Sequence, residues 1–539
     1  MKVTEAIART LVELGVRQVF GLVGSGNYQL TEALQQAGAR FTAARHEGGA
    51  ITMTDAYARV TGEVPACTVH QGPGVTNTAT GLAEAAKSRT PLVVLAAESS
   101  GPRSNFRIDQ PAFATSLGAI AERVQGPDTV AADCVRVYQR ARLERRPVVL
   151  NLPLELLASE TEPGPLPATA ALPPAVPAPD SIAAAVKLLE AAERPLILAG
   201  RGAVLGGAGP ALVELGERIG AVLATSAVAN GLFADDPWSV GISGGFASTL
   251  ASDLIAESDV VLAVGASLNM WTTRHGRLLG PGTRVIQVDV DPGEIGANVP
   301  VTVAVVGDAG AAARALAAQA RPRPGRRTTE LAARIEAWRE AGEPFDDESS
   351  DSRIDPRTVS QALDRLLPRA RTLVTDSGGF MAWPAQYLHV PDAAAFCFTQ
   401  AFQAVGIGLA TAIGAAVARP DRLTVAAVGD GGMLMGLADL ETVARLGLRM
   451  VIVVYNDASY GAEVHHFEPA DRGTLVHFPD TDFAALARAA GLDGVTVRRQ
   501  GDLDAVAGWV GSGSCRALLI DAKIVPTVVA RFLQDAFGH

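Results

Sequence analysis

The chain has 539 residues, 48% of them apolar and 19% charged, with a formal net charge of −11. That length exceeds what one hydrophobic core organises, so three domains are the natural division. The charge argues against nucleic acid as a partner, and no apolar run is long enough to cross a bilayer. Four scattered cysteines (Cys67, Cys134, Cys397 and Cys515) form no CxxC pair. That argues against a zinc site or disulfide framework and suits a reducing cytoplasm.

The opening "MKVTEAIARTLVELGV" places Val3, Ile7, Leu11 and Leu14 at helical steps, which predicts an amphipathic helix rather than a signal peptide. Strands are expected at "RQVFGLVG", "RFTAARHE", "PACTVHQG", "PLVVLAAES" and "RPVVLNLP", within a first domain of residues 1–160. The Pro-rich "TEPGPLPATAALPPAVPAPDS" (161–181) reads as a linker. A middle domain, 182–320, resumes with "RPLILAGRG", "AVLATS", "DVVLAVGAS" and "RVIQVDVD". A polar stretch follows, from "RPRPGRR" to "DDESSDSRIDP", interrupted by the helix-like "ELAARIEAWREAG". The last domain, 355–539, contains "TLVTDSG", "LTVAAVGDGG", "RMVIVVYND", "GVTVRR" and "RALLIDAKI". Strands alternating with helices throughout predict an α/β chain of three doubly wound parallel-sheet domains.

The stretch "LTVAAVGDGGMLMGLADLETVARLGLRMVIVVYND" carries the most chemistry. It reads as one βαβ unit: a strand, the helix "LADLETVARLG" and a second buried strand. Asp430 ends the first strand and Asp457 the second, at the sheet edge where open α/β sheets bind ligands. Gly429, Gly431 and Gly432 allow close backbone approach, and the helix start beyond them favours an anion. Two carboxylates facing an anion site suit a hard cation such as Mg²⁺ bridging to diphosphate oxygens. Two polar turns capping helices are the plainer explanation, which fits GDGG alone better than it fits the pair.

GDG followed one helix later by an Asn/Asp pair resembles the diphosphate-binding motif of thiamine diphosphate enzymes. "RHEGGAITMTDAYARVTG" resembles the segment with that family's cofactor-activating glutamate, here Glu47; "HQGPGVTN" and "QAVGIGLATAIGAAVA" resemble two further family segments. Within that family the chain resembles the acetolactate synthase and benzoylformate decarboxylase branches. Glu47 is expected to follow a buried strand, and the resemblance implies that it hydrogen-bonds N1′ of the aminopyrimidine, although a glutamate also suits a helix start. It implies that the Gln403 carbonyl receives the 4′-amino group and that Val405 wedges the cofactor's rings. Val is smaller than the family's usual Met, Leu or Ile. Mg²⁺ would be held by Asp430, Asp457 and the Ser459 main-chain carbonyl; the family more often has Asn at the second position.

His70 in "TVHQGPG" matches a proton-transfer histidine of the benzoylformate decarboxylases, and imidazole suits such a relay. Ser25 in "GLVGSGNYQL" matches a substrate-contacting serine of that branch. "YGAEVHHFEP" places Ala462, His465 and His466 beside the metal site, with His466 a catalytic candidate. Acetolactate synthases carry an arginine where this chain has Trp271; Arg274 or His275 are possible substitutes. A dehydrogenase using Gly200, Gly202 and Gly206 is a second class, resting on a loose glycine pattern. A flavin-containing oxidase with FAD on the middle domain is a third, and is not favoured. The expected function is decarboxylation of a 2-oxo acid, carboligation to an aldehyde or ketone acceptor, or both. The resemblance further implies a homodimer or homotetramer with sites between chains.

Overall fold

The computed structural model describes residues 1–99, 101–162, 173–467 and 475–537, the side chains of 535–537 excepted. Residues 163–172 of the linker and 468–469 of the "YGAEVHHFEP" stretch lie outside the described residues. Three six-stranded sheets, parallel throughout, organise the chain. In the first, β1 (Gln18–Gly21), β2 (Arg40–Ala43), β3 (Ala66–Val69), β4 (Leu92–Glu98), β5 (Ile120–Arg123) and β6 (Pro147–Pro153) run in the order 2-1-3-4-6-5. The middle sheet contains β7 (Pro195–Ala199), β8 (Val222–Thr225), β9 (Ser239–Ile242), β10 (Val260–Val264), β11 (Arg284–Asp289) and β12 (Val303–Val306), in the order 12-11-10-7-8-9. The third contains β13 (Arg371–Thr375), β14 (Phe396–Phe398), β15 (Leu423–Gly429), β16 (Met450–Asn456), β17 (Asp493–Val497) and β18 (Leu518–Lys523), in the order 14-13-15-16-18-17. The first and third sheets therefore share one topology. Their strand order reverses between β1 and β3, and between β13 and β15, which opens a crevice at each carboxyl edge.

Because the strands are buried on both faces, alternate residues enter separate cores. Val425 joins one apolar cluster and Ala426 another, as Val19 and Phe20 do in the first sheet. One cluster runs from the first sheet into the third without a break. Its centre is the contact between helices Glu47–Thr61 and Gly408–Ala418, which is close enough that a Cβ on Gly414 would lie 2.3 Å from the Met53 carbonyl oxygen. The helix that begins with Glu47 is thus fixed against the helix that follows the Val405 loop.

Three local readings change. The linker's last residues already form a helix, Pro179–Glu190, because proline at a first helical turn lacks only an N–H that would have no partner there. β2 is a half-exposed edge strand, so Glu47 follows an edge and not a buried strand. "LADLETVARLG" is helical but not α throughout: Asp430–Met435 ends at Gly436, and a 3-10 turn (Leu437–Asp439) then leads directly into Leu440–Arg445. Asp439 turns toward the first domain there, accepting the Arg45 amide at 3.2 Å and the Thr442 hydroxyl at 2.9 Å.

Candidate active site

β15 and β16 pair with Gly429 opposite Tyr455, so Asp430 and Asp457 leave the same sheet edge side by side. Burial, then the charge of Asp457, pushes the Asp430 carboxyl up to about 7; burial also raises Asp457. Each carboxylate already accepts main-chain hydrogen bonds, Asp457 Oδ1 from the Ser459 amide at 3.0 Å. Two half-buried carboxylates, both with raised proton affinity and one raised in part by the other's charge, are a poor arrangement for a bare turn and a good one for a divalent cation. Among the described residues no three His, Cys, Asp or Glu side chains gather into a metal cage. Two carboxylates plus a main-chain oxygen match Mg²⁺, which takes its remaining ligands from phosphate and water. The donor set therefore fits Mg²⁺ and diphosphate. The glycines fit as well: a Cβ on Gly431 would meet the Tyr460 ring at 2.7 Å, and one on Gly432 would meet Asp376 Oδ2 at 2.4 Å.

The turn bearing Asp457 is held from beneath by residues that carry no motif. Asn456 Oδ1 accepts the Ala458 amide at 3.1 Å, fixing Ala458 at a left-handed φ of 61°. Its Nδ2 donates to Asp521 Oδ1 at 3.0 Å, and buried Lys523 pairs with Asp521 Oδ2 at 2.9 Å. Beside the metal candidates stands the loop with Gln403 and Val405. Both side chains are exposed, and Val405 Cγ1 lies 3.4 Å from where a Gly432 Cβ would be. The structure thus brings Val405 against the GDGG turn. Asp376, fully buried after β13, accepts the amides of Ser377 and Gly406 at 2.9 and 3.0 Å. Burial outweighs those hydrogen bonds and pushes its carboxyl up to about 6.

On the first domain, Glu47 opens the helix Glu47–Thr61, is nearly buried and accepts the Asn77 amide at 2.9 Å. Gly74 separates it from His70: a Cβ there would lie 3.4 Å from Glu47 Oε1 and 3.2 Å from His70 Cβ. His70 follows β3, and its Nδ1 accepts the Gly26 amide at 3.1 Å. A neutral His70 therefore carries its proton on Nε2. Phe106 meets the imidazole edge-on, with ring centres 5.2 Å apart. Ser25 is exposed between Gly24 and Gly26, and Cβ atoms on those glycines would stand 3.0 and 2.8 Å from the His70 ring. Glu47, His70 and the Ser25 loop are therefore neighbours. Sequence reasoning missed Asn77, and also Gln71, whose Oε1 is buried without a hydrogen-bond partner.

A cleft of about 1610 Å³ opens among the three domains, lined by Arg89, Gly265, Trp271, Phe398, Val405 and Ala462 among others. Trp271 faces it; Arg274 and His275, both at left-handed φ, do not line it. Of the two adjacent histidines, His465 shares a crevice with Asp457 and Gly461, while His466 packs on Phe467 with ring centres 4.4 Å apart. The middle-domain glycines have a packing role. Cβ atoms on Gly200 and Gly202 would stand 2.3 Å from the Gly265 carbonyl oxygen and 2.6 Å from its Cα, and one on Gly206 would stand 2.9 Å from the Gly310 amide. Loop-to-loop contact accounts for them without a nicotinamide.

Comparison with known proteins agrees with this geometry. The chain matches models of the thiamine pyrophosphate enzyme N-terminal TPP binding domain over residues 1–116, the central domain over 182–316 and the C-terminal TPP binding domain over 376–514. It is 30% identical to a sulfoacetaldehyde acetyltransferase of Alcaligenes xylosoxydans xylosoxydans, over 92% of this chain and 88% of that protein. It is 32% identical to a probable 2-ketoarginine decarboxylase of Pseudomonas aeruginosa, over 93% and 89%. The fold matches a thiamine diphosphate-dependent 4-hydroxybenzoylformate decarboxylase of Rhodococcus jostii RHA1, with TM-score 0.84 and 23% identity, over 98% of this chain and 100% of that one. With three domain models in order and relatives spanning nearly its whole length, the chain belongs to the thiamine pyrophosphate enzyme family.

Proposed function

We propose that this enzyme uses thiamine diphosphate and Mg²⁺ to decarboxylate a 2-oxo acid, to join the resulting acyl unit to an aldehyde or ketone, or both. The observation that carries the reading is the convergence of Asp430, Asp457 and the Ser459 turn at the ends of β15 and β16, under the Val405 loop. When bound, the cofactor supplies a thiazolium carbon that adds to a keto group and accepts the electron pair released with CO₂. Asp430, Asp457 and the Ser459 carbonyl would hold Mg²⁺ against the diphosphate. Glu47 would hold a proton at N1′ of the aminopyrimidine. His70, with Nδ1 occupied by Gly26, would move a proton at substrate through Nε2. Relatives include an acetyltransferase and a decarboxylase, and the presence of His70 favours the decarboxylase side.

A second copy of the chain would complete each site. Exposed apolar side chains crowd both carboxyl edges: Val23, Tyr28, Phe106 and Ile108 on the first domain, Val405, Leu434 and Met435 on the third. Patches of this kind mark association surfaces, and a two-fold dimer covers both at once. A homodimer, or a tetramer of two dimers, follows. No helix among the described residues is long and apolar enough to cross a membrane, and the cysteine usage favours the cytoplasm. The test is chelator-stripped protein assayed for CO₂ release from pyruvate, branched and aromatic 2-oxo acids, with and without an aldehyde. Activity that returns only with both thiamine diphosphate and a divalent cation supports the reading. Full activity without either would end it, and so would a fully active monomer by light scattering for the assembly.

A further inference from the structure

The loop that carries Gln403 and Val405 is not held by its own side chains. Phe402 is 44% and Val405 45% exposed, and Gln403 is exposed too. Its backbone is strained at Gln403, which has a φ of 58°, while Gly406, at 88°, takes the left-handed region as only glycine does freely. A non-glycine residue stays in that region only where its surroundings over-determine it. Two buried carboxylates supply the constraint. At the leading end Glu84, on helix Ala79–Lys87 of the first domain, accepts the amides of Ala401 at 3.0 Å and Phe402 at 2.6 Å. Glu84 is itself fixed by Arg59 at 2.7 Å, which also pairs with Asp55 at 2.8 Å and donates to the Phe398 carbonyl at 2.9 Å. At the trailing end Asp376 accepts the Gly406 amide and fills the space that Gly432 leaves open. Residues 403–405 lie between the two clamps, and they include both groups assigned to the cofactor rings.

We propose that Glu84 and Asp376 are positioning residues for the cofactor loop: each fixes it through main-chain amides, one from the first domain and one from beneath the GDGG turn. The proposal rests on the thiamine diphosphate reading of the site. Charge-assisted bonds to backbone amides are stronger than neutral ones and set direction as well as distance. Exchanging one carboxylate oxygen for an NH₂ group, as in Glu84→Gln or Asp376→Asn, turns an acceptor into a donor facing another donor. The loop then relaxes toward unstrained backbone and the wedge moves off its place.

The experiment compares the full-length wild type with each variant by three measurements: melting of the apoprotein, affinity for thiamine diphosphate at saturating Mg²⁺, and exchange of the cofactor C2 proton by NMR. Affinity should weaken, and C2 exchange should slow by about 10²-fold, the scale expected when a reacting group is displaced by roughly 1 Å. In Glu84→Gln, competition by magnesium pyrophosphate should be unchanged, since the metal turn is untouched. Variants with lower melting temperature but normal affinity and C2 exchange would overturn the proposal. Hydrogen exchange on the wild-type apoprotein decides it even if both variants fail to fold. The amides of Ala401, Phe402 and Gly406 should be protected before cofactor is added, and rapid exchange there overturns the claim. A wild type that binds no thiamine diphosphate would defeat the underlying reading instead.

Discussion

The first and third domains have the same strand order, 2-1-3-4-6-5 in local numbering, yet their carboxyl edges carry opposite chemistry. On the third, Asp430 and Asp457 leave the same edge with raised proton affinity, from burial and, for Asp430, also from the charge of Asp457. On the first, Glu47, His70 and the Ser25 loop are tied by ordinary hydrogen bonds from Asn77 and Gly26. The middle sheet has a different order, and its glycines serve the packing of one loop on another. Topology decides where a crevice opens; the loops decide what the crevice can hold.

The sharpest way to break this contrast is at the turns that carry Asp430 and Asp457. Asp430→Ala removes one of two carboxylates where the described residues gather no third, so the variant should lose retained cofactor and, with it, nearly all turnover. Cofactor content after gel filtration measures this, and unchanged affinity would remove the metal assignment. The first-domain edge should fail differently. Glu47→Gln should slow C2 exchange and every reaction alike, whereas His70→Ala should leave C2 exchange nearly intact. The His70 variant's turnover should still drop by about 10²–10⁴-fold, the range for a lost general acid or base. Near-normal turnover in His70→Ala would make the histidine structural and take away the main support for the decarboxylase branch.

A smaller effect separates the two edges by pH. Asp376 titrates near 6 in the folded chain and at about 3.9 when unfolded. Between those values the folded state binds more protons, so this group's contribution favours folding at low pH and is lost as pH rises through about 6. Urea unfolding of the apoprotein from pH 4 to 7 should therefore show a steeper decline in the wild type than in Asp376→Asn. Parallel curves would contradict the buried, proton-retaining state. The smallest change expected is in the middle domain. Gly202→Ala sets a Cβ against Gly265 Cα, an overlap that costs about 1–3 kcal/mol of stability. Its thiamine diphosphate affinity should be unaltered; a marked loss would give these glycines a ligand role after all.

The three sheets and the pair Asp430 and Asp457 were legible because their signals are local. A buried strand, a glycine turn and a carboxylate repeat within one βαβ unit, and parallel strands carry both carboxylates to the same edge. Glu47 and His70 were singled out by family resemblance and not by spacing; the structure places them after β2 and β3, on either side of Gly74. Sequence reasoning did not reveal contacts from afar, such as Asp439, at the 3-10 start of its helix, accepting the Arg45 amide. It also placed Glu47 behind a buried strand when β2 is an edge.

What holds the site in shape had no local signal at all. Glu84 reads as one more acid on an Ala-rich helix, and the amides it accepts lie more than 300 residues away, at Ala401 and Phe402. Asp376, Asn456, Asp521 and Lys523 are equally plain in sequence. Spacing and period determined the strands, the crevices and the residue types at their edges, because backbone geometry repeats over a few residues. Only the tertiary structure decided which buried carboxylates fix which loops: an unpaired amide takes its partner from whatever folding places within 3 Å, and chain distance has no part in that choice.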